Sequence, residues 1–408
     1  MAEYSEVNQR SVTRVAVVGM GIVSPLGIGT TETATALREG RDCISPVNRF
    51  PVDHCRCKTA GQISDARLTC PQTLPLRQER LHRVARMTIL ALGEALASAP
   101  HFQPELSVLG TTSGGMTYGE EYYRVLKGKQ ISKRKAPSLI ANYTPQKAIM
   151  DAQQAFGLSA PCQIIANACA SGTNAVGHAF DCIRSGRYKR ILTGGYDALS
   201  ELVFVGFDSL QASTPERCRP FDQDRTGLVL GEGAAILLLE DFDSAKARGA
   251  EILAEMVGYG LSTDNHHLTQ PNPSGSGPFQ AMESALKSAG LRAENIDYIN
   301  AHGTATPQND ATEGKAIAEL FEGVAVSSTK GMMGHALGAA GAIEAVITIL
   351  AIQNQFMPAN INFRAGDAGL ELNIIANKSQ PANLRMALSN SFGFGGTNAS
   401  VIFQAAEP

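Results

Sequence analysis

Residues 336–352 read ALGAAGAIEAVITILAI, a run that is apolar around every side of a helix and interrupted by one acid, Glu344. A helix without a polar face must be covered on all sides. The run is shorter than the roughly 20 residues that cross a bilayer, so protein has to supply the cover. The helix pattern after Cys169 is also rich in Gly and Ala. Small side chains let helices approach closely, as a middle layer between two sheets requires. Strand and helix patterns alternate along the rest of the chain, which points to layered α/β architecture. Glu344 has two readings: a solvated acid on a helix face, or a buried carboxylate that needs a cation or several donors to offset desolvation.

Cys169 lies where a short apolar strand pattern, Cys162-Gln163-Ile164-Ile165-Ala166, gives way to a helix pattern with Ala175, Val176, Ala179, Phe180 and Ile183. At the first turn of a helix, unpaired N–H groups and the macrodipole favour a thiolate. Such a cysteine is a displayed nucleophile, or else a small residue that merely packs. Three other segments bear chemistry. Asn300-Ala301-His302-Gly303-Thr304-Ala305-Thr306-Pro307 follows a strand pattern and sets His302 at its end, where catalytic groups of α/β proteins collect. Ser327-Ser328-Thr329-Lys330 leads through Gly331-Met332-Met333-Gly334 to His335. Ser389-Asn390-Ser391-Phe392-Gly393-Phe394-Gly395-Gly396-Thr397-Asn398 is a glycine-rich turn that leaves N–H groups free to meet a ligand. It lacks the Gly-Lys-Ser/Thr ending of a phosphate-binding loop.

Composition narrows the class. At 408 residues the chain suits two intimately packed halves. A net charge of −3 argues against a general nucleic-acid binder, and no segment reads as a membrane insertion. Glu3 and Glu6, with no apolar stretch around them, read as neither a signal nor a transit peptide; a soluble, cytoplasmic protein is expected. Cys43, Cys55, Cys57 and Cys70 lack the paired Cys-x-x-Cys spacing of structural zinc sites. Arg77, Arg80, Arg83 and Arg86 recur on one side of an amphipathic pattern, and Lys133-Arg134-Lys135 adds a second basic cluster. Val17-Val18-Gly19-Met20-Gly21-Ile22-Val23-Ser24 is echoed by Met256-Val257-Gly258-Tyr259-Gly260-Leu261-Ser262, each reading as an apolar strand entering a glycine turn.

In this order, the four segments resemble the β-ketoacyl-acyl carrier protein synthases, condensing enzymes of the thiolase superfamily, and among them the elongating type II class. Arg219-Pro220-Phe221-Asp222 and Gly231-Glu232-Gly233-Ala234 extend the likeness over nearly the whole chain. The resemblance implies a five-layer α-β-α-β-α sandwich of two duplicated halves, placed at 1–252 and 253–408. It implies decarboxylative Claisen condensation with malonyl-acyl carrier protein, in fatty-acid or in type II polyketide or aryl polyene synthesis. Cys169 would carry the acyl group, with its own N–H and that of Phe394 as the oxyanion hole. His302 and His335 would bind the malonyl carbonyl, and Lys330 would order them. Phe394 would gate the cleft, and Thr304, Thr306 and Gly395 would contact substrate. Glu344, Asn300, Ala301, Ser389 and Asn390 match a network around a structural monovalent cation; no cofactor and no catalytic metal are implied.

The partners implied are an acidic acyl carrier protein, docking on the basic clusters, and a second subunit, either a copy of this chain or a paralogue. Gln211 stands where the family has a basic residue. A degradative thiolase needs a second cysteine late in the chain, and none follows Cys218. A chain-length-factor-like subunit, acting mainly as a heterodimer partner, would lack the nucleophile. Initiating synthases carry asparagine where His335 stands. Two substitutions mark the acyl pocket: Ser113 replaces a bulky aliphatic residue and, across the dimer interface, Leu139 an aromatic one. The alternative for Ser113 is that it only eases a tight glycine turn.

Overall fold

The computed structural model describes residues 13–76, 81–128 and 136–406, with the backbone alone at 136–138. Eleven strands form the hydrogen-bonded path of a 12-stranded sheet: β1 (Val15–Ser24), β2 (Leu106–Gly110), β3 (Cys162–Ile165), β4 (Arg190–Asp197), β5 (Gly233–Asp241), β6 (Ala254–Thr263), β7 (Tyr298–Asn300), β8 (Ala325–Ser327), β9 (Asn373–Ile374), β10 (Met386–Gly393) and β11 (Thr397–Ala405). Their spatial order is β9-β8-β7-β10-β11-β6-β1-β5-β4-β2-β3. Each half therefore repeats one five-stranded arrangement, β3-β2-β4-β5-β1 and β8-β7-β10-β11-β6, with three parallel strands followed by two antiparallel ones. The halves join edge to edge through three residue pairs of β1 and β6, Val15 with Met256, Ala16 with Glu255 and Val17 with Ala254.

Helices complete the five layers. α1 (Arg83–Ser98) and α2 (Lys147–Ala155) cover the outer face of the first half, and α4 (Ser276–Ala289) and α5 (Pro307–Leu320) cover that of the second. Between the sheets lie α3 (Ser171–Arg184) and α6 (Ala340–Asn354). The apolar run of 336–352 is thus the buried middle layer: every residue of α6 from Ala340 to Ile352 is buried. Its core joins residues of both halves, among them Val15, Leu237, Phe180, Ile347, Val401 and Phe403.

The repeated Gly-x-Gly pairs lie within β1 and β6 and not, as the pattern suggested, at turns. A Cβ on Gly19 would come to 2.5 Å from the Ala95 carbonyl oxygen of α1, and one on Gly258 to 2.6 Å from that of Ala285 of α4. Gly21 meets Ala91 and Gly260 meets Ala281 in the same way. Both strands also carry a bulge immediately before the pair, at Val18 and at Val257. A bulge adds local twist, and the bare glycines let the outer helix lie directly on the strand. The sequence echo is therefore the trace of one packing solution used twice.

The basic run at 77–86 needs correction at Arg83. This residue opens α1 and is buried, with its Nε 2.8 Å from Glu232 Oε2 and further bonds to Asp65 and the Ile63 carbonyl. Glu232 is fully buried and also accepts the Ile63 and Leu199 N–H groups. A guanidinium satisfies that carboxylate where water cannot reach, so Arg83 anchors the helix start and offers nothing to a docking partner. Arg77, Arg80 and Lys133-Arg134-Lys135 lie outside the described residues.

Candidate active site

The ends of β3, β7, β8 and β10 converge on a cleft of about 180 Å³. Cys169, His302, His335, Thr304, Thr306, Phe394 and Gly395 line it together. A Cys169 Sγ and one ring nitrogen from each histidine all lie within 4.8 Å of one another, and the two imidazoles meet edge to face at 5.2 Å between centroids.

Cys169 sits in a single 3₁₀ turn, Ala168–Ala170, ahead of α3. Ala168 holds a left-handed φ of 58°, which a non-glycine residue adopts only under constraint. The thiol is buried, and burial pushes its pKa up to about 11 over the opposing pull of Lys330 and the Phe394 N–H. The helix start was expected to favour the thiolate. Desolvation outweighs it because the thiol is fully enclosed, and burial penalises the charged form more than the nearby cation and N–H favour it.

Both histidines are also buried, and burial holds each well below the usual imidazole range, with Lys330 adding like-charge repulsion. They are neutral near pH 7. His302 Nδ1 and both nitrogens of His335 are buried without a hydrogen-bond partner among the described residues. Lys330, itself buried, donates to the His302 carbonyl at 2.6 Å and pairs with Glu344. Burial raises the Glu344 carboxyl to about 7 against the pull of Lys330. Of the two readings of Glu344, the buried one holds.

Glu313, not singled out in the sequence, fixes the backbone under His302: its carboxylate accepts the His302 and Gly303 N–H groups, each at 2.8 Å. Asp310 similarly accepts the N–H groups of Ala305 and Phe221. Their spacing of three on α5 was a legible signal, two acids on one helix face just past the His302 segment.

The glycine-rich turn leaves β10 and passes Phe394, whose ring stacks on Phe207 at 5.5 Å. Gly395, at φ 84°, donates to the Leu268 carbonyl at 2.7 Å, and the Gly396 carbonyl accepts the Asp264 N–H. Gly393 lies against the nucleophile turn, where an added Cβ would stand 3.2 Å from the Cys169 nitrogen. Phe207, Asp264 and Asn398 thus join the cleft unforeseen. Gln211 lines its mouth.

Asn300 and Ser389 are register partners on β7 and β10. Asn300 Oδ1, Ser389 Oγ and Glu344 Oε2 are buried oxygens without a partner among the described residues, and the Asn300 amide donates to the Glu344 carbonyl at 3.4 Å. An all-oxygen set of this kind suits a hard cation. The Asn390 side chain points the other way along β10, to Met282, Glu313 and Ser400. Ala301 contributes its N–H to the Ser327 carbonyl.

Ser113 and Leu139 are not among the cleft residues. The Ser113 hydroxyl donates to Asp197 at 2.6 Å, so here it serves the turn. Cys55 and Cys57 pack in one small apolar cluster, Cys70 in the outer core of the first half and Cys43 beside the central core, so the four do not gather. Among the described residues the one group spaced as metal ligands is Cys169 with the two histidines.

Comparison with known sequences and structures agrees with this geometry. The family described as "Beta-ketoacyl synthase, N-terminal domain" matches residues 12–245, and "Beta-ketoacyl synthase, C-terminal domain" matches residues 253–364. The chain is 37% identical to 3-oxoacyl-acyl-carrier-protein synthase 2 of Synechocystis sp., over 96% of this chain and 98% of that protein. The ishigamide ketosynthase/chain length factor superposes with a TM-score of 0.89 at 33% identity, covering 97% of this chain and all of the other. A type II polyketide ketosynthase solved with its acyl carrier protein, AntDE:AntF, gives 0.86 at 28% identity over 97% of this chain and all of that one.

Proposed function

The chain belongs to the β-ketoacyl synthase family and condenses an acyl thioester with malonyl-acyl carrier protein, in fatty-acid or polyketide synthesis; from this we infer the role of each residue in the cleft. Cys169 is the nucleophile. A neutral imidazole beside it takes the thiol proton, since a thiol held near 11 does not ionise by itself at pH 7. The thiolate attacks the acyl carbonyl, and the oxyanion meets the N–H groups of Cys169 and Phe394. Each such donor is worth about 3–4 kcal/mol in the transition state. The carrier thiol leaves with the proton and the acyl group stays on sulfur.

Malonyl thioester then enters with its carbonyl on His302 and His335. Loss of CO₂ places charge on that carbonyl oxygen, and neutral imidazoles donate to it without the cost of burying two cations. The enolate carbon attacks the acyl carbonyl, the C–S bond to Cys169 breaks, the Cys169 thiolate takes up a proton from solvent, and the β-ketoacyl carrier departs. Thr304, Thr306 and Gly395 line the substrate's path, Phe394 gates it, and Lys330 with Glu344 keeps the histidine loop ordered. The oxygens of Asn300, Ser389 and Glu344, with the backbone at Ala301 and Asn390, would hold a monovalent cation that neutralises charge beside this network.

A carrier protein delivers both substrates, and the protein works as a dimer. The open edge of β3 and the exposed Tyr123, Leu126, Ile140, Tyr143 and Met150 favour a second subunit. The compartment is taken as the cytoplasm. The observation that carries the reading is the meeting of Cys169, His302 and His335 in one buried cleft. Intact-mass analysis after incubation with acyl carrier protein thioester tests it: Cys169→Ala should abolish acylation, and an acyl group retained by that variant would remove the assignment.

A further inference from the structure

The nucleophile turn occurs twice in the molecule. Ala168 (φ 58°) opens the 3₁₀ turn that runs into α3, and Leu337 (φ 53°) opens the turn Leu337–Ala339 that runs into α6. Gly338 therefore occupies in the second half the place that Cys169 has in the first. At Cys169 the segment leaving β10 supplies the Phe394 N–H. At Gly338 the equivalent strand, β4, ends in Asp197, whose Oδ2 accepts the Gly338 N–H at 2.7 Å. A Cβ on Gly338 would come to 2.5 Å from the Thr112 nitrogen. The second pocket is thus filled by a carboxylate and the loop after β2.

Asp197 is fully buried and gathers that loop closely. It accepts the Thr111 hydroxyl at 2.7 Å, the Thr112 N–H at 2.9 Å, the Ser113 N–H at 2.8 Å and the Ser113 hydroxyl at 2.6 Å. Thr112 in turn donates its own hydroxyl to the Ala168 carbonyl at 3.0 Å. A line of hydrogen bonds therefore runs from Gly338 through Asp197 and Thr112 to the one residue whose left-handed backbone aims Cys169 into the cleft. Backbone in that region persists only where its surroundings hold it.

We propose that Asp197 and Thr112 are positioning residues for the nucleophile, holding the Ala168 turn so that Cys169 can attack. The proposal rests on reading Cys169 as the acylated residue. It concerns acyl transfer alone, because His302 is held by Glu313 and Lys330, and the His335 backbone by Val229 and Gly231, instead.

The test separates the two half-reactions. Thr112 is exposed in the single chain, so Thr112→Val removes the hydroxyl without burdening the fold. Its acylation rate, followed by intact mass with acyl carrier protein thioester, should fall about tenfold, a change of one hydrogen bond's order. Release of CO₂ from malonyl-acyl carrier protein should stay within about twofold, as expected where the histidine loop is untouched. Thr112→Ser should restore acylation, and Asp197→Asn should show the same selective loss. If Asp197→Asn does not fold, the Thr112 pair decides. Wild-type acylation by Thr112→Val overturns the proposal, as does a parallel fall of both half-reactions. Acyl transfer to a residue other than Cys169 in the unmodified protein would overturn both this inference and the nucleophile assignment beneath it.

Discussion

At the level of single residues, burial decides the chemistry. Cys169 has a cation, Lys330, and a backbone donor near it, yet desolvation leaves the thiol protonated near neutral pH. Its alkylation by iodoacetamide should therefore speed up about tenfold per pH unit between pH 7 and 9, since the reactive thiolate is still a minor species there. A rate that levels off at neutral pH would mean a preformed thiolate. The same burial keeps His302 and His335 neutral, which is the form that can both accept the thiol proton and donate to an enolate. His302→Ala and His335→Ala should each lose CO₂ release from malonyl-acyl carrier protein by about 10²-fold or more, the scale of one lost oxyanion donor, while still accepting an acyl group, because the imidazole that remains can take the thiol proton. Normal CO₂ release in both variants would remove their role.

Elements owe their positions to where side chains are missing. Gly19 and Gly21 on β1, and Gly258 and Gly260 on β6, let α1 and α4 lie against the strands. Gly258→Ala should cost about 1–3 kcal/mol in chemical denaturation, because backbone and not a flexible side chain stands in the way. Gly206 is the internal control: a Cβ there meets nothing of the described residues within 4 Å, on the exposed side of the helix Glu201–Ser209. Gly206→Ala should be neutral or stabilise by up to about 1 kcal/mol. The start of α1 depends on charge instead. Arg83→Ala leaves Glu232 buried without its cation and should destabilise by about 3–5 kcal/mol. If Arg83→Ala altered only the affinity for a carrier protein, leaving stability intact, its burial would have to be rejected.

For the molecule as a whole, duplication followed by asymmetry is the organising fact. Two equivalent turns face the interface of the halves; one carries Cys169, the other Gly338 and its carboxylate partner Asp197. Both histidines come from the second half, so the cleft exists only when the halves share the α3–α6 layer. Carrier docking belongs to this scale too. The proposed charge pairing between an acidic carrier and Arg77, Arg80 and the 133–135 cluster would be screened by salt, so the KM for the carrier should rise with ionic strength. Reversing Lys133 and Arg134 should raise it further without slowing self-acylation by a small thioester. Insensitivity to both would assign docking elsewhere.

Local pattern determined the layers, the burial of the apolar run 336–352, the strand-to-helix setting of Cys169 and the grouping of the four motif segments, because each depends on the order of polar and apolar residues along a few turns. What those residues would face was not local. Arg83 read as one of a basic series and proved to be the buried mate of a glutamate 149 positions away. Ser113 read equally as a pocket residue or as a turn-former, and the partner of its hydroxyl, Asp197, lies far away in sequence. The protonation state of Cys169 depended on how deeply five layers enclose it, which no sequence window contains. Burial and partnering are properties of the packed chain, so only the tertiary structure decided which charges are neutralised, which donors are left free and which of two matching turns became the reactive one.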